Sequence, residues 1–301
     1  MAGIVFGYEV DAPFASTYLR VGGGQPLTIA ESDPGTEPDI EPVLEWRPRP
    51  DTPFQARLYG DPAGYGVWID GMGGFGVEPD VPRITVPPSS ETIRREERLW
   101  GVPAALCFSY RGDLPVHASA IEVGGRALVF CGPGRFGKTT LAAAFLRAGH
   151  RVLSEDLVCV RQTEGGPAVL PGPAMLRVRP DVAERLGPIE GTRTVLRDGE
   201  RVHLAMEEGL RGTGDPVPLA GILILKRGLP QITLYRVQAE RFLPELFSVS
   251  FNLPSDVERV RSFGGVVDLA GSTPLWLLDR PLEFATLGEV LDRVIDTCLS
   301  P

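Results

Sequence analysis

The amino-acid sequence predicts an α/β fold in which a core built around a phosphate-binding loop (P-loop) follows a small β-rich N-terminal lobe. The segment 127–153 places a short apolar strand, a glycine-rich loop and a helix in direct succession. Further strand and helix patterns follow over 219–249 and 274–298. By contrast, the segment 1–88 is rich in glycine, proline and aromatic residues and carries only short β-type runs. We therefore expect two units, 1–88 and 89–301.

The composition is that of a globular protein with an acidic balance of charge. Of the 301 residues, 39 are acidic and 30 are basic, so the net charge is −9. A nucleic-acid surface needs a basic patch that displaces counterions, so this charge argues against nucleic-acid partners. The four cysteines are far apart and lack the spacing of metal ligands. Because no apolar run has the length of a membrane span, we expect a cytoplasmic protein without a membrane partner; a homo-oligomer is left open.

The N-terminal segment is expected to be irregular and rich in strands. Its β-type runs include 4–10 and 65–69, which turn clusters separate from their neighbours. Residues 89–91 are typical of a helix N-terminus, and apolar positions at helical spacing follow over 93–110. This helix is interrupted near Gly101 and is expected to link the lobe to the core.

The next two strands are predicted to form a hairpin that carries a histidine. The glycine pair at 124–125 is the two-residue signal of a tight turn. If Val123 pairs with Arg126, paired residue numbers sum to 249, and His117 lies opposite Gly132. A histidine in a strand is by default a hydrogen-bonded core residue, but this register places His117 at the mouth of the glycine loop.

The glycine loop has the spacing of a P-loop, because four residues separate Gly132 from Gly137-Lys138-Thr139. Glycines let the backbone approach a phosphate closely, and the following helix adds the positive end of its dipole. Lys138 is expected to reach the β- and γ-phosphates of ATP, and Thr139 to place its hydroxyl on Mg²⁺. A chance glycine turn is the alternative. The expected nucleotide-binding residues are Gly132, Gly134, Arg135, Phe136, Gly137, Lys138, Thr139 and Thr140.

An acidic pair follows the helix and the next apolar run. The string HRVLSEDLVCV is expected to form one strand that contains Glu155 and Asp156. An acidic residue at the end of a strand near a P-loop is either a Mg²⁺ ligand, usually through water, or the base. A solvated turn pair is the alternative, although apolar residues on both sides would partly enclose the carboxylates. We expect Asp156 at the metal with Thr139, and the candidates for supporting proton transfer are Asp156, Glu155 and His117.

The remaining chain is expected to continue as strands, loops and helices. Arg177, Arg179 and Arg201 are candidates for phosphate contact, although isolated arginines on strands are more often surface charges. The segment 207–218 breaks the pattern and is predicted to be a mobile loop or lid. A helix is expected over 238–250, and Thr286 with Glu289 has the spacing of a capping box for the last helix.

The string LPVHASAIEVGGRALVFCGPGRFGKTTLAAAFLRAGHRVLSED resembles the catalytic domain of HPr kinase/phosphorylase and its kinase-like relatives, including those that modify ribosomal peptide precursors. A histidine before a hairpin, a P-loop, and Gly-His-Arg leading to an acidic pair carry the resemblance over 114–160. It implies a mixed sheet similar to that of phosphoenolpyruvate carboxykinase, and transfer of the ATP γ-phosphoryl to a serine hydroxyl. The residues at the family's loop, histidine and acidic positions are Lys138, Thr139, His117, Glu155 and Asp156.

The sequence thus predicts an ATP- and Mg²⁺-dependent kinase that acts on a hydroxyl of a protein or peptide. Two alternatives stay open. One is a kinase for a small metabolite, and the other is a non-catalytic regulator in which ATP orders 207–218 and exposes a partner surface. A candidate base and a candidate metal ligand beside the loop favour the enzyme.

Overall fold

The computed structural model describes residues 3–14, 16, 18–33, 35–46, 56–61, 64–253 and 255–299. The strands in these ranges are β1 (Gly3–Val5), β2 (Tyr8–Asp11), β3 (Arg20–Val21), β4 (Gln25–Glu31), β5 (Leu44–Trp46), β6 (Ala56–Asp61), β7 (Gly64–Ile69), β8 (Gly73–Glu78), β9 (Arg83–Val86), β10 (Leu114–Val116), β11 (Ala118–Val123), β12 (Arg126–Cys131), β13 (Arg151–Ser154), β14 (Val158–Thr163), β15 (Gly166–Leu170), β16 (Met175–Val178), β17 (Thr192–Arg197), β18 (Val202–Met206), β19 (Val217–Lys226), β20 (Thr233–Val237) and β21 (Leu275–Asp279). The α-helices there are α1 (Thr92–Leu99), α2 (Val102–Tyr110), α3 (Lys138–Arg147), α4 (Pro180–Leu186), α5 (Glu208–Arg211), α6 (Leu243–Val249), α7 (Asp256–Ser272) and α8 (Leu287–Cys298).

The first nine strands of the described chain form one sheet, in the order β3-β1-β2-β4-β9-β8-β7-β6-β5. Its pairs β2-β4 and β4-β9 are parallel and the others are antiparallel. Buried side chains of this sheet pack against α1 and α2, where Leu99, Leu106 and Phe108 are fully enclosed. This core crosses residue 88, and the division of the chain at that residue remains a prediction.

The second sheet places three parallel strands, β12, β19 and β21, side by side. Their carboxyl ends therefore lie at one edge, where ligands bind in open α/β sheets. The segments 132–137, 227–232 and 280–283 leave that edge. On one side of the trio, β11 pairs antiparallel with β12, and β13 with β11. On the other side, β20 pairs antiparallel with β21, and the start of β19 pairs with β15, which β14 and β10 follow.

The predicted hairpin register is confirmed. Val123 pairs with Arg126 and Ala118 with Cys131, so paired numbers sum to 249 throughout. The turn is tight because Gly124 and Gly125 have φ values of 57° and 77°, a region that glycine adopts without steric cost.

Helices cover both faces of the second sheet. On one face, α3, α4 and α8 pack in a core with the small antiparallel sheet β16-β18-β17. On the other face, α6 and α7 bury Leu246, Val266 and Leu269 against the strands. The fold of the described residues is thus mixed α/β, with two mixed sheets and one small antiparallel sheet. The predicted α/β class is confirmed.

Four details differ from the sequence-based expectations. The run HRVLSEDLVCV is not one strand, because the chain turns at Glu155-Asp156 between β13 and β14. The segment 207–218 contains α5 and is tied down, since Arg20 and Arg151 donate to its carbonyl oxygens. The last helix is confirmed but its capping box is wrong, because the Thr286 hydroxyl donates to a backbone carbonyl. The sequence analysis did not identify α7. In the described ranges, no helix is long and apolar enough to cross a membrane.

Candidate functional site

The glycine loop, 132–137, connects the end of β12 to the start of α3. Gly132 and Gly137 have φ values of 150° and 84°, which favour glycine. Arg135 adopts a φ of 66°, an uncommon conformation for a residue with a side chain. The first N–H groups of a helix have no partner within the helix, so the loop and the N-terminus of α3 present donors and a positive dipole end. This is the backbone arrangement that binds a phosphate.

Lys138 is buried and folded back onto the loop. Its Nζ donates to the carbonyl oxygen of Gly132 at 2.7 Å and to that of Pro133 at 3.3 Å. Burial lowers the pKa of Lys138, and the nearby Asp156, Cys131 and Glu155 oppose that shift. The ammonium group of Lys138 therefore lies within the loop. A bound phosphate oxygen would replace the two carbonyl oxygens as its hydrogen-bond acceptor.

Thr139 contacts the first member of the acidic pair. Its hydroxyl donates to Oε1 of Glu155 at 2.8 Å. In the described part of the chain, no group of three or more His, Cys, Asp or Glu side chains could hold a metal ion. A hydroxyl and a carboxylate are hard oxygen donors, and Mg²⁺ is bound by few such protein ligands together with substrate phosphates and water. The hydroxyl of Thr139 and the carboxylate of Glu155 fit Mg²⁺ as two such protein ligands.

The side chain of Asp156 contacts His117. The φ of Asp156, 71°, is left-handed, at the point where the chain turns between β13 and β14. Nδ1 of His117 lies 2.9 Å from the backbone oxygen of Asp156 and 3.3 Å from its Oδ1. The backbone N–H of His117 donates to the carbonyl oxygen of Val249 at 2.6 Å, which fixes the chain between β10 and β11. The histidine thus lies beside the loop, where the predicted register places it.

Arg177 binds both carboxylates of the pair. From β16, its Nε lies 3.1 Å from Oε2 of Glu155 and its Nη2 lies 2.6 Å from Oδ2 of Asp156. Partial burial of Asp156 opposes its ionisation, but the charges of Arg177, His117 and Lys138 outweigh this effect and hold its pKa well below the usual range. Asp156 is therefore a carboxylate at neutral pH.

Glu97 completes this network, and the sequence analysis did not identify it. It lies on α1 and forms an ion pair with Nη1 of Arg177. Burial opposes ionisation of Glu97, yet Arg177, Arg98 and His203 lower its pKa. Arg177, one of three candidates for phosphate contact, is bound to carboxylates in the structure. Arg177 is the one charged residue in the apolar run of β16, whereas Glu97 is one of several charged residues of α1, so the sequence carried no signal for their contact.

A cavity of about 850 Å³ opens beside the acidic pair. His117, Asp156 and Pro133 line one end of it. Its other walls are largely apolar, and they include Trp46 and Phe251, whose rings stack with centroids 6.1 Å apart. The cavity therefore joins the loop and the carboxylate of Asp156 to an apolar chamber.

Comparison with known proteins finds likenesses among solved structures alone. No family model matches the chain, and no curated protein matches it. Among solved structures, the chain is similar to the Hpr(Ser) kinase/phosphatase from Coxiella burnetii, with 11% sequence identity and a TM-score of 0.32 over 60% of this chain and 87% of that one. A likeness of this size carries no argument about function, which has to come from the site itself.

Proposed function

We propose that this chain is an ATP-dependent phosphotransferase that transfers the γ-phosphoryl group to a hydroxyl on a protein or peptide, through a P-loop core of the HPr-kinase-like kind. One observation carries the proposal: the loop lysine, the Thr139–Glu155 pair and the Asp156–His117 pair lie together at the carboxyl edge of the parallel strands. Phosphoryl transfer needs little more than positioned phosphates, charge compensation and an acceptor for the hydroxyl proton.

Each residue has a role in this proposal. Lys138 and the amides of the loop bind the phosphates. The sequence-based hypothesis placed Mg²⁺ on Thr139 and Asp156; we propose Thr139 and Glu155 instead, because the 2.8 Å hydrogen bond joins that pair. Bound there, Mg²⁺ would supply charge compensation to the phosphates.

In this proposal, Asp156 accepts the proton of the acceptor hydroxyl. Its side chain is 48% exposed and lines the cavity, whereas that of Glu155 is only 7% exposed. A hydroxyl that enters the cavity reaches Asp156 before Glu155. His117 holds the carboxylate of Asp156 in place, because its Nδ1 contacts Oδ1. We therefore propose Asp156 as the base and His117 as its positioning residue.

The test separates binding from chemistry. Parent, Asp156→Asn and Glu155→Gln are compared for Mg-ATP affinity and for transfer of label from γ-labelled ATP in a cell extract. Asp156→Asn is isosteric and leaves Lys138 and the loop in place, so its ATP affinity should stay within roughly tenfold of the parent. Its transfer rate should fall by about a hundredfold or more, because proton acceptance matters chiefly in the transition state. Full transfer by both variants would refute the site, and tight ATP binding by the parent without transfer would favour a regulator.

The cavity favours a second candidate, a kinase for a small metabolite. Its volume of about 850 Å³ lies within the range of roughly 300–1,000 Å³ that small-molecule sites have. Mass spectrometry of the labelled product decides between the two, since a labelled metabolite below the size of a peptide supports this candidate and a labelled polypeptide supports the first.

A further inference from the structure

One arginine beside the loop is buried without a charged partner. Arg280 follows β21 directly and is 2% exposed. Its Nη1 donates to the carbonyl oxygen of Pro281 at 3.3 Å. Among the residues that the structure describes, its Nε and Nη2 have no hydrogen-bond partner, and no carboxylate lies within ion-pair distance of it. Burial lowers the pKa of Arg280 to about 10.

This guanidinium lies against the first turn of α3. A Cβ built on Gly137 would lie 2.5 Å from Nη2 of Arg280, so only a glycine allows this approach. Gly137 is the residue that precedes the first residue of α3, where the backbone N–H groups and the helix dipole favour an anion. The unpaired face of Arg280 and the helix terminus therefore lie together.

The same corner contains a cavity and a second cation. The cavity has a volume of about 440 Å³ and is lined by the segments 227–230 and 280–282. Arg227 is exposed there, with its Cζ 4.9 Å from the centroid of the Phe136 ring. Both segments leave the carboxyl ends of strands that run parallel to β12, so their position beside the loop is a consequence of the sheet.

A buried unpaired cation is costly, because it loses its hydration and gains no counter-charge. Proteins keep such a group where a ligand supplies the missing charge, and a guanidinium suits the oxygens of a phosphate. An acidic partner would give Arg280 a purely structural role, but no described carboxylate forms an ion pair with it. We infer that Arg280 is a preformed phosphate-binding residue, which pairs with a phosphate oxygen of the nucleotide at the N-terminus of α3.

This inference deepens the proposed function, since it rests on nucleotide binding by the same loop. The test compares parent, Arg280→Met and Arg280→Lys, with Arg147→Met as the matched control. Arg147 is exposed at the opposite end of α3, so its replacement removes the same charge far from the loop. Calorimetry gives the Kd values of Mg-ATP and of tripolyphosphate, and a melting curve without ligand gives the intrinsic stability of each variant.

Arg280→Met should weaken both ligands by tenfold or more, equivalent to about 1.4 kcal/mol, because both carry the phosphates. Its melting temperature without ligand should equal or exceed that of the parent, since a buried unpaired charge has been removed. Arg280→Lys should retain part of the affinity, and Arg147→Met should bind both ligands within twofold of the parent.

Three results would overturn the inference. Arg280→Met could bind both ligands like the parent. It could lose ATP but keep tripolyphosphate, which would place Arg280 at the nucleoside. It could melt well below the parent while Arg280→Lys does not restore affinity, which would make Arg280 structural. The proposed function fails separately: a parent that binds neither ligand, or Lys138→Ala that binds both normally, would refute the loop assignment itself.

Discussion

Replacement of Arg177 by methionine should strongly destabilise the protein at neutral pH. Arg177 is the only described cation that contacts all of Glu97, Glu155 and Asp156. The side chains of Glu97 and Glu155 are 9% and 7% exposed, so both would be left as nearly buried carboxylates without their main counter-charge. Loss of one partner of a buried ion pair costs about 3–5 kcal/mol.

Asp156 adds little to this figure, because its side chain is 48% exposed and water screens it. We therefore expect the free energy of unfolding of Arg177→Met to fall by about 3–5 kcal/mol at pH 7. The matched control is Arg179→Met. Arg179 lies two residues further on and pairs with Asp181 at 3.0 Å with both side chains more than half exposed, so its loss should cost about 0–1 kcal/mol.

The pH dependence of the stability difference between parent and Arg177→Met provides a second, independent check. In the parent, the lowered pKa of Glu97 contributes stability that is present above the unfolded pKa of about 4.3 and is lost as the pH falls through the folded value. Without Arg177, burial dominates and raises the pKa of Glu97 above its unfolded value. The variant then gains stability relative to the parent as the pH falls, by up to about 1.4 kcal/mol per pH unit for one carboxyl.

Urea unfolding of parent, Arg177→Met and Arg179→Met at pH 7 and pH 5 measures both effects. The gap between parent and Arg177→Met should be wide at pH 7 and narrower at pH 5. A gap at pH 7 no larger than that of Arg179→Met, or a gap that widens on acidification, would refute the assignment of a buried charge network.

Two further predictions concern other parts of the molecule. Lys138→Ala should abolish the rise in melting temperature that Mg-ATP gives the parent, because a charge-assisted contact worth on the order of 1.5–3 kcal/mol is lost; an undiminished rise would contradict the P-loop assignment. Arg20→Met should lower the free energy of unfolding by about 3 kcal/mol or more, because the fully buried guanidinium donates to the carbonyl oxygens of Gly172, Val152 and Leu153 and each orphaned buried group costs about 1–3 kcal/mol. Urea unfolding tests it, and a loss below 1 kcal/mol would count against it.

Local rules predicted the part of the site that depends on neighbouring residues in the chain. The turn at 124–125 fixes the register of β11 and β12, and the register alone places His117 beside Gly132. The loop and α3 follow from glycine spacing and helix pattern. None of these features requires knowledge of which distant strand lies next to which.

The contacts that the sequence could not predict depend on distant elements. Arg177 reaches the acidic pair from β16, which belongs to a different sheet from β13. Glu155 accepts a hydrogen bond from Thr139 and Asp156 contacts His117, while Arg177 pairs with both carboxylates. Helix α7 contains Gly264, Gly265 and Gly271, which lower helix propensity, and it forms because its buried face packs on the sheet. In each case tertiary packing overrides or extends the local signal.

The position of α1 gives the N-terminal sheet a direct connection to the site. Leu99 and Trp100, at the end of this helix, are buried in the core of the N-terminal sheet, and Glu97 lies one turn or less away on the same helix. Glu97 in turn holds Arg177, which holds Glu155 and Asp156. Because Glu97 lies so close to these buried residues on the same helix, a shift of the N-terminal core would move its carboxyl group and weaken one of the three ion pairs of Arg177. The strands before residue 88 therefore support the charge arrangement of the site even though they contribute no residue to the glycine loop.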